Sequence, residues 1–257
     1  MRLGLPDYAN VAPLARFLPG AFTRHNGVPT ALNRALLNGE VELSLVSSAF
    51  YLAHRDKLAI LPDFSVAVLG RVYSVNVFSK KPFDSLKRVA VTPASATSVA
   101  LLGWLRPDLD LVPVSGGLEL LEAYDGVLLI GDAALKAYAE AMGPWPSPIE
   151  ALPEAREDLF VTDLSSLWFE RTRLPFVFAV WAYPKDRPPD PKAVRALRAA
   201  REAGLARLGE VSSAEARRLG VPEALMLRYL WNFRYHLEAP DRLGLAAFAE
   251  ALRDRSS

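Results

Sequence analysis

Short apolar blocks recur along this chain, and four of them share one design. Each has strand length, ends in small or hydroxyl-bearing residues, and passes at once into a pattern of helical period. The four are "RLGLPDYANVAPLARFL", "VELSLVSSAFYLAHR", "KRVAVTPASATSVALLGWL" and "YDGVLLIGDAALKAYAEAM". Continuous apolar runs of this length suit parallel strands covered on both faces. Strands that alternate with helices predict an α/β fold.

In open α/β sheets a ligand crevice lies at the carboxyl ends of the strands. All four junctions are therefore candidates for one crevice. Each brings first-turn N–H groups and the positive end of a helix dipole. At the third junction Ser95, Thr97 and Ser98 stand where the strand hands over to the helix. Two readings are open. The hydroxyls cap their own helix, as Ser and Thr usually do there, or they face something negatively charged. Asp132, in "LIGDAAL", divides the same way between capping the next helix and facing the crevice.

Two further strands lie outside this scheme. "RVYSVNVFS", closed by Lys80-Lys81-Pro82, and "LPFVFAVWAY", residues 174–183, both read as long strands. If each crosses between two lobes, residues 1–80 plus 177–257 form the first lobe and residues 81–176 an inserted second. "GPWPSPIEALPEARED", with four prolines in sixteen residues, reads as a loop on the second lobe. Further on, "KAVRALRAAREAGLARLGEV" predicts one amphipathic helix, with Val194, Leu197, Leu205 and Leu208 near one face and its arginines in solvent. Two more helices follow, "PEALMLRYLWNFRYHL" and "GLAAFAEALRDR", with Leu227, Leu230, Trp231 and Leu237 expected in the core.

The 257 residues suffice for two lobes, and 51% of them are apolar, so a sizeable core is expected. With 30 basic residues against 29 acidic, no bulk field draws nucleic acid, and an anion has to be met by local groups. The absence of cysteine excludes disulfides, thiolate catalysis and zinc–sulfur sites, and suits a cytoplasmic protein. No basic segment precedes an apolar run near Met1, and no apolar stretch approaches membrane-spanning length. Neither a secretory signal nor a membrane span is expected. His25, His54 and His236 are the only histidines and lie far apart, which argues against a metal site. Phosphate-loop, dinucleotide and nucleophile-elbow patterns are missing. What remains is Asn, Ser, Thr and main-chain N–H groups, with at most one carboxylate. Such a set binds a small anion and catalyses only a reaction needing little acid–base help.

Five segments in order carry a resemblance: "RLGLPDYANVAPL", "GVPTALNRALLNGEVELSLVSSAFY", "SATSVALL", "LLIGDAAL" and "LPFVFAVW", with weaker support from "RYLWNFRYHLE". Together they resemble the chorismate dehydratase family, the first enzyme of the futalosine route to menaquinone. The similarity runs from Arg2 to about Tyr183. It implies a two-lobed fold of the type II periplasmic-binding-protein kind, with the ligand cleft between the lobes. It also implies a cytoplasmic hydro-lyase acting on chorismate with no cofactor. Neither nucleic acid nor membrane is implied as a partner, and the oligomeric state is left open. The chain departs from the family pattern at three places that bear on hinge and rim. Arg173 replaces Gly in "TRLPFVFA", Ser165 replaces Gly after Asp163-Leu164, and Tyr73 stands where a basic residue is common.

The family's reaction removes the C3 hydrogen and C4 hydroxyl of chorismate, and the aromatic product is 3-[(1-carboxyvinyl)oxy]benzoate. Under the resemblance, Thr97 and Ser98 are expected to hold one substrate carboxylate at a helix start. Ser47 and Ser48 are expected to hold the other from the opposite lobe. Asn10 is the expected catalytic residue, its amide hydrogen-bonding the departing hydroxyl or orienting the ring, and Gly131 and Asp132 are expected to line the wall. No side chain stands out as a base, so the enolpyruvyl carboxylate is expected to take the C3 proton. Trp181 and Phe176 divide between stacking on the ring and packing in the core. Two competing readings differ in what they require. The sister enzyme later in the pathway, which forms a dihydroxynaphthoate, would carry a His near the third or fourth strand end, where this chain has none. A non-catalytic solute-binding protein would require an export signal.

Overall fold

In the computed structural model, which describes residues 1–142 and 158–254, the four strand–helix units divide between two sheets. The chain opens with β1 (Arg2–Pro6), α1 (Ala12–Ala15), β2 (Thr23–Gly27), α2 (Pro29–Leu37), β3 (Leu43–Ser47), α3 (Ser48–Ala53) and β4 (Leu58–Val68). Then come β5 (Val75–Ser79), β6 (Arg88–Val91), α4 (Ala96–Leu105), β7 (Asp110–Pro113), β8 (Gly126–Ile130), α5 (Gly131–Ala141), β9 (Phe160–Asp163) and α6 (Leu164–Thr172). Last are β10 (Phe176–Pro184), α7 (Pro191–Ala206), α8 (Leu208–Leu219), α9 (Glu223–Trp231), β11 (Phe233–Arg234) and α10 (Ala239–Asp254). The first sheet has the order β11-β4-β10-β3-β1-β2, the second β7-β6-β8-β5-β9.

The strands of the four units run parallel to their neighbours: β1 with β2 and β3, and β6 with β7 and β8. β3 is buried along its whole length, its Ser44 and Ser47 included, as a strand covered on both faces is. β10 and β5 run antiparallel to their neighbours and complete mixed sheets. Beyond its first turn helix α4 is apolar and offers little solvent face. It packs on α6 in its own lobe and on α3 and α10 of the other, and one buried cluster runs through both lobes.

The passage from the first lobe to the second falls earlier than the sequence suggests. β5 pairs with β8 and β9, so the chain crosses at residues 69–74 and not after residue 80. An apolar strand pattern does not say which sheet the strand joins; pairing decides that. Neither crossing is itself a strand: the chain returns after α6, ahead of β10, which lies wholly in the first sheet. Buried Asp163 ties the first passage to the start of α6. Its Oδ2 accepts from the main-chain N–H of Val72 at 2.9 Å and Tyr73 at 2.7 Å, and its Oδ1 caps α6 through Ser166 N–H at 3.0 Å. Tyr73 and Arg173 adopt left-handed backbone at φ 63° and 61°, one on each passage. Arg173 ends α6 in the position glycine usually takes.

Three C-terminal expectations are corrected. The single amphipathic helix breaks at Arg207 into α7 and α8. Arg201 is 5% exposed, not solvated: its guanidinium lies 4.3 Å over the Phe64 ring and donates to the Asp63 carbonyl at 2.5 Å. Trp231 is 75% exposed, whereas Leu230 and Leu237 are buried. The proline-rich stretch expected as a loop lies, but for its last residue, outside the described residues.

Candidate active site

Where the carboxyl ends of the strands meet, a cavity of about 80 Å³ lies between the lobes. Asn10 reaches it from the segment after β1, Ser47 from the end of β3, Thr97 and Ser98 from the start of α4, and Gly131 from the start of α5. All four strand–helix junctions thus converge on one space, as the topology of two facing α/β sheets dictates. A larger depression of about 670 Å³, beside Arg187 and Pro189, is an open groove on the first lobe and holds none of these residues.

Two of the expected wall residues do not line the cavity. Ser48 is fully buried behind the wall, with its Oγ 3.5 Å from Thr97 Oγ1. Asp132 points away. Its Oδ1 accepts from Ala9 N–H at 2.9 Å and its Oδ2 from the Arg218 guanidinium at 2.8 Å. It makes no capping bond to α5 either. A carboxylate inside an otherwise uncharged pocket would lose its hydration without a cation to replace it; outside, Arg218 supplies one. At the third junction one hydroxyl caps the helix, and all three residues border the cavity. Ser95 is the N-cap: its Oγ accepts from Ser98 N–H at 3.2 Å and donates to Ser98 Oγ at 2.9 Å. Thr97 and Ser98 face the cavity.

Two buried wall atoms have no partner: Asn10 Oδ1 and Ser47 Oγ. Leaving such an atom unpaired costs roughly 1–3 kcal/mol, and a ligand's polar groups would remove that cost. Asn10 itself is held through its main chain, its carbonyl accepting from the Tyr235 hydroxyl at 3.0 Å. Thr97 Oγ1 accepts from Ala49 N–H at 3.0 Å, a bond from the second lobe to the first turn of α3 in the first. Gly131, at φ +58°, lies under the Tyr8 ring; an added Cβ would come within 2.9 Å of two ring carbons. The lobes are therefore closed on each other at both ends of the cavity. Small-molecule pockets commonly occupy roughly 300–1,000 Å³, so this one must widen to take a substituted ring, and the Thr97–Ala49 bond spanning the cleft must yield.

Among the described residues no Asp, Glu, Lys, Arg or His lines the cavity. Its one titrating side chain is Tyr8, whose phenol pKa is raised by burial and further by the charge of Asp132. An anion there meets neutral donors and the positive end of α4, worth about 0.3–1 kcal/mol or more in a partly buried setting. His25 lies on β2, His54 at the end of α3 and His236 beyond β11. Among the described residues no group of three or more His, Asp or Glu could hold a metal ion.

Sequence reasoning missed Tyr8, Ser74 and Phe178 on the wall. Phe176 and Trp181, weighed for stacking, are both fully buried in the core. Phe178 takes that place because the pairing of β10 with β4 shifts register between Val177 and Ala179, and such a bulge re-aims a side chain. No signal in the sequence marks it.

Fold and cavity together define a class: a two-lobed protein with the periplasmic-binding-protein fold. The periplasmic aliphatic sulphonate binding protein SsuA from Escherichia coli shares the fold, with a TM-score of 0.66 over 100% of this chain and 92% of that one at 13% identity. Protein AF1704 from Archaeoglobus fulgidus superposes with a TM-score of 0.76 over 99% and 97% at 20% identity. Sequence narrows the class. The family model described as menaquinone biosynthesis matches residues 1–254, and the chain belongs to that family. It is 62% identical over 255 residues to a chorismate dehydratase of Thermus thermophilus, across 97% of this chain and 94% of that protein. Among the described residues no helix is long and apolar enough to cross a membrane.

Proposed function

We propose that this protein is a chorismate dehydratase, a cytoplasmic hydro-lyase that converts chorismate to 3-[(1-carboxyvinyl)oxy]benzoate and water in menaquinone biosynthesis. The observation that carries the reading is the cavity: hydroxyl and amide groups from both lobes converge there with no charged side chain among the described residues, in a chain 62% identical to a protein of that name. Such a wall suits a reaction whose driving force lies in the substrate. Aromatisation makes the dehydration strongly downhill, and the conjugated ring carboxylate acidifies the C3 hydrogen.

Thr97 and Ser98 bind one carboxylate at the start of α4, and Ser47 binds the other from the first lobe. Ser48 acts from behind by holding Thr97. The Asn10 carboxamide binds the C4 hydroxyl, its N–H donating to the oxygen as the C4–O bond breaks. The enolpyruvyl carboxylate takes the C3 proton, the C3–H electron pair enters the ring, and that proton leaves with the hydroxyl as water. Lobe closure fixes this geometry and excludes solvent. Gly131 and the Tyr8 ring form the wall between the lobes.

Incubating the purified protein with chorismate, and following the aromatic product by ultraviolet absorbance and mass, tests the reading. Catalytic formation of a product lighter by one water supports it. The likeness to SsuA favours one other reading, a binding protein without chemistry. Tight chorismate binding with no turnover would establish that reading and overturn the proposal.

A further inference from the structure

We infer that Arg218 is a positioning residue for the dehydration: with Asp132 it clamps the second lobe onto the main chain beside Asn10 and so aims the Asn10 carboxamide. Asp132 sits in the first turn of α5 with its side chain 17% exposed. One carboxylate oxygen accepts from Ala9 N–H at 2.9 Å, across the cleft. The other accepts from Arg218 on α8 at 2.8 Å, and Arg218 also donates to Glu215 at 2.6 Å. Ala9 begins a single 3₁₀ turn, Ala9–Val11, so its N–H is one the turn itself leaves without an acceptor. Asp132 supplies that acceptor from the other lobe.

Asn10 is thus gripped from two directions. The second lobe holds the N–H just before it, and the first lobe, through the Tyr235 hydroxyl, holds its own carbonyl. Its Oδ1 stays buried and unpartnered on the cavity wall. The first grip exists only when the lobes are closed, so closure and the aiming of Asn10 are one event. The clamp differs from the cross-cleft contacts that Thr97 makes with Ser48 and Ala49. Thr97 lines the cavity, so its bond to Ala49 has to give way to a bound carboxylate. Asp132 and Arg218 lie outside the cavity, so no bound group competes for their bonds. Arg218 also neutralises the one carboxylate that stands next to the wall residue Gly131, and keeps it from repelling a dianion.

The inference rests on the dehydratase reading for its effect on rate, though not for its effect on closure, and the two are measured separately. Arg218→Gln is expected to lower kcat for chorismate about 10-fold, the loss of one charge-assisted hydrogen bond, with KM within about 2-fold and the melting temperature nearly unchanged. Arg218→Lys, which keeps a cationic donor for Asp132, is expected to recover most of the rate. In an Asp132→Ala background the Arg218→Gln change is expected to add little. Wild-type kcat in Arg218→Gln, or its full effect persisting in the Asp132→Ala background, would overturn the clamp. Small-angle scattering of the ligand-free variants reads closure without any turnover. Arg218→Gln is expected to be more open than wild type, and an unchanged profile would likewise overturn it. A wild-type protein inert toward chorismate but opened by Arg218→Gln would leave the clamp standing and remove only the dehydratase reading.

Discussion

Replacing Gly131 by Ala puts one methyl group into the contact between the lobes. Two costs follow, and they separate. The first is local: φ is +58°, and left-handed backbone costs a residue with a Cβ about 1–2 kcal/mol. Alanine recovers about 0.4–1 kcal/mol by restricting the unfolded chain, leaving a net loss near 1 kcal/mol. The second arises only in the closed form. The new Cβ would lie 2.9 Å from Tyr8 Cδ1 and Cε1, against about 3.5–4.0 Å for relaxed carbon contacts. Overpacking of this kind costs roughly 1–3 kcal/mol, and opening the hinge relieves it. The melting temperature is therefore expected to fall by about 2–4 °C, the local cost alone. The closed population, and with it kcat/KM for chorismate, is expected to fall by a factor of roughly 5–150. Calorimetry and steady-state turnover read the two costs. In a Tyr8→Ala background, where the ring is gone, Gly131→Ala is expected to cost stability but little further activity. Full activity in the single variant, or an activity loss that simply multiplies through in the double variant, would refute the claim that Tyr8 on Gly131 governs closure.

Asn10→Ala is expected to lower kcat by about 10²–10³ with little change in chorismate affinity, and turnover at the wild-type rate would remove Asn10 from the chemistry. Because burial raises the Tyr8 phenol above its ordinary value of 10 and no carboxylate or imidazole among the described residues lines the cavity, kcat is expected to stay flat from about pH 6 to 9; a bell-shaped profile there would point to a titrating group the geometry does not supply. Arg173→Gly removes left-handed strain of about 1–2 kcal/mol from the return passage, offset by about 0.4–1 kcal/mol of added chain freedom, so thermal unfolding is expected to shift upward by a few degrees; a lower melting temperature would contradict it. Asp125, held by Lys81 and by the N–H groups of Arg88 and Lys87, has its pKa depressed from 3.8 to about 2. A depressed acid stabilises the fold above its unfolded pKa and loses that contribution as pH falls through the folded one. Asp125→Asn is therefore expected to flatten the melting-temperature profile between about pH 4 and 2, and an unaltered slope would show that the ion pair contributes nothing.

The sequence by itself determined the strand–helix units and the kind of residue at each junction. Both are local: an apolar run of strand length and a hydroxyl at a helix start carry their meaning within a few positions. It also excluded much chemistry, because absent cysteines and scattered histidines need no fold to interpret. The gathering of Asn10, Ser47, Thr97 and Ser98 around one cavity followed from topology once the units were recognised. The rest was decided in three dimensions. The lobe assignment of β5 depended on its hydrogen-bonded neighbours, which its own apolar pattern cannot name. Phe178 faces the cavity because of a register shift against a strand more than a hundred residues away in the chain. Arg201 is buried and Trp231 exposed because helix packing, not residue type, set which face was covered. Asp132 left the wall for Arg218 and Ala9, partners far off in the sequence, since a carboxylate settles where a cation and an unpaired N–H can be reached together. Contacts between distant segments carry no trace in local periodicity, so the closure of the lobes belongs to the tertiary structure alone.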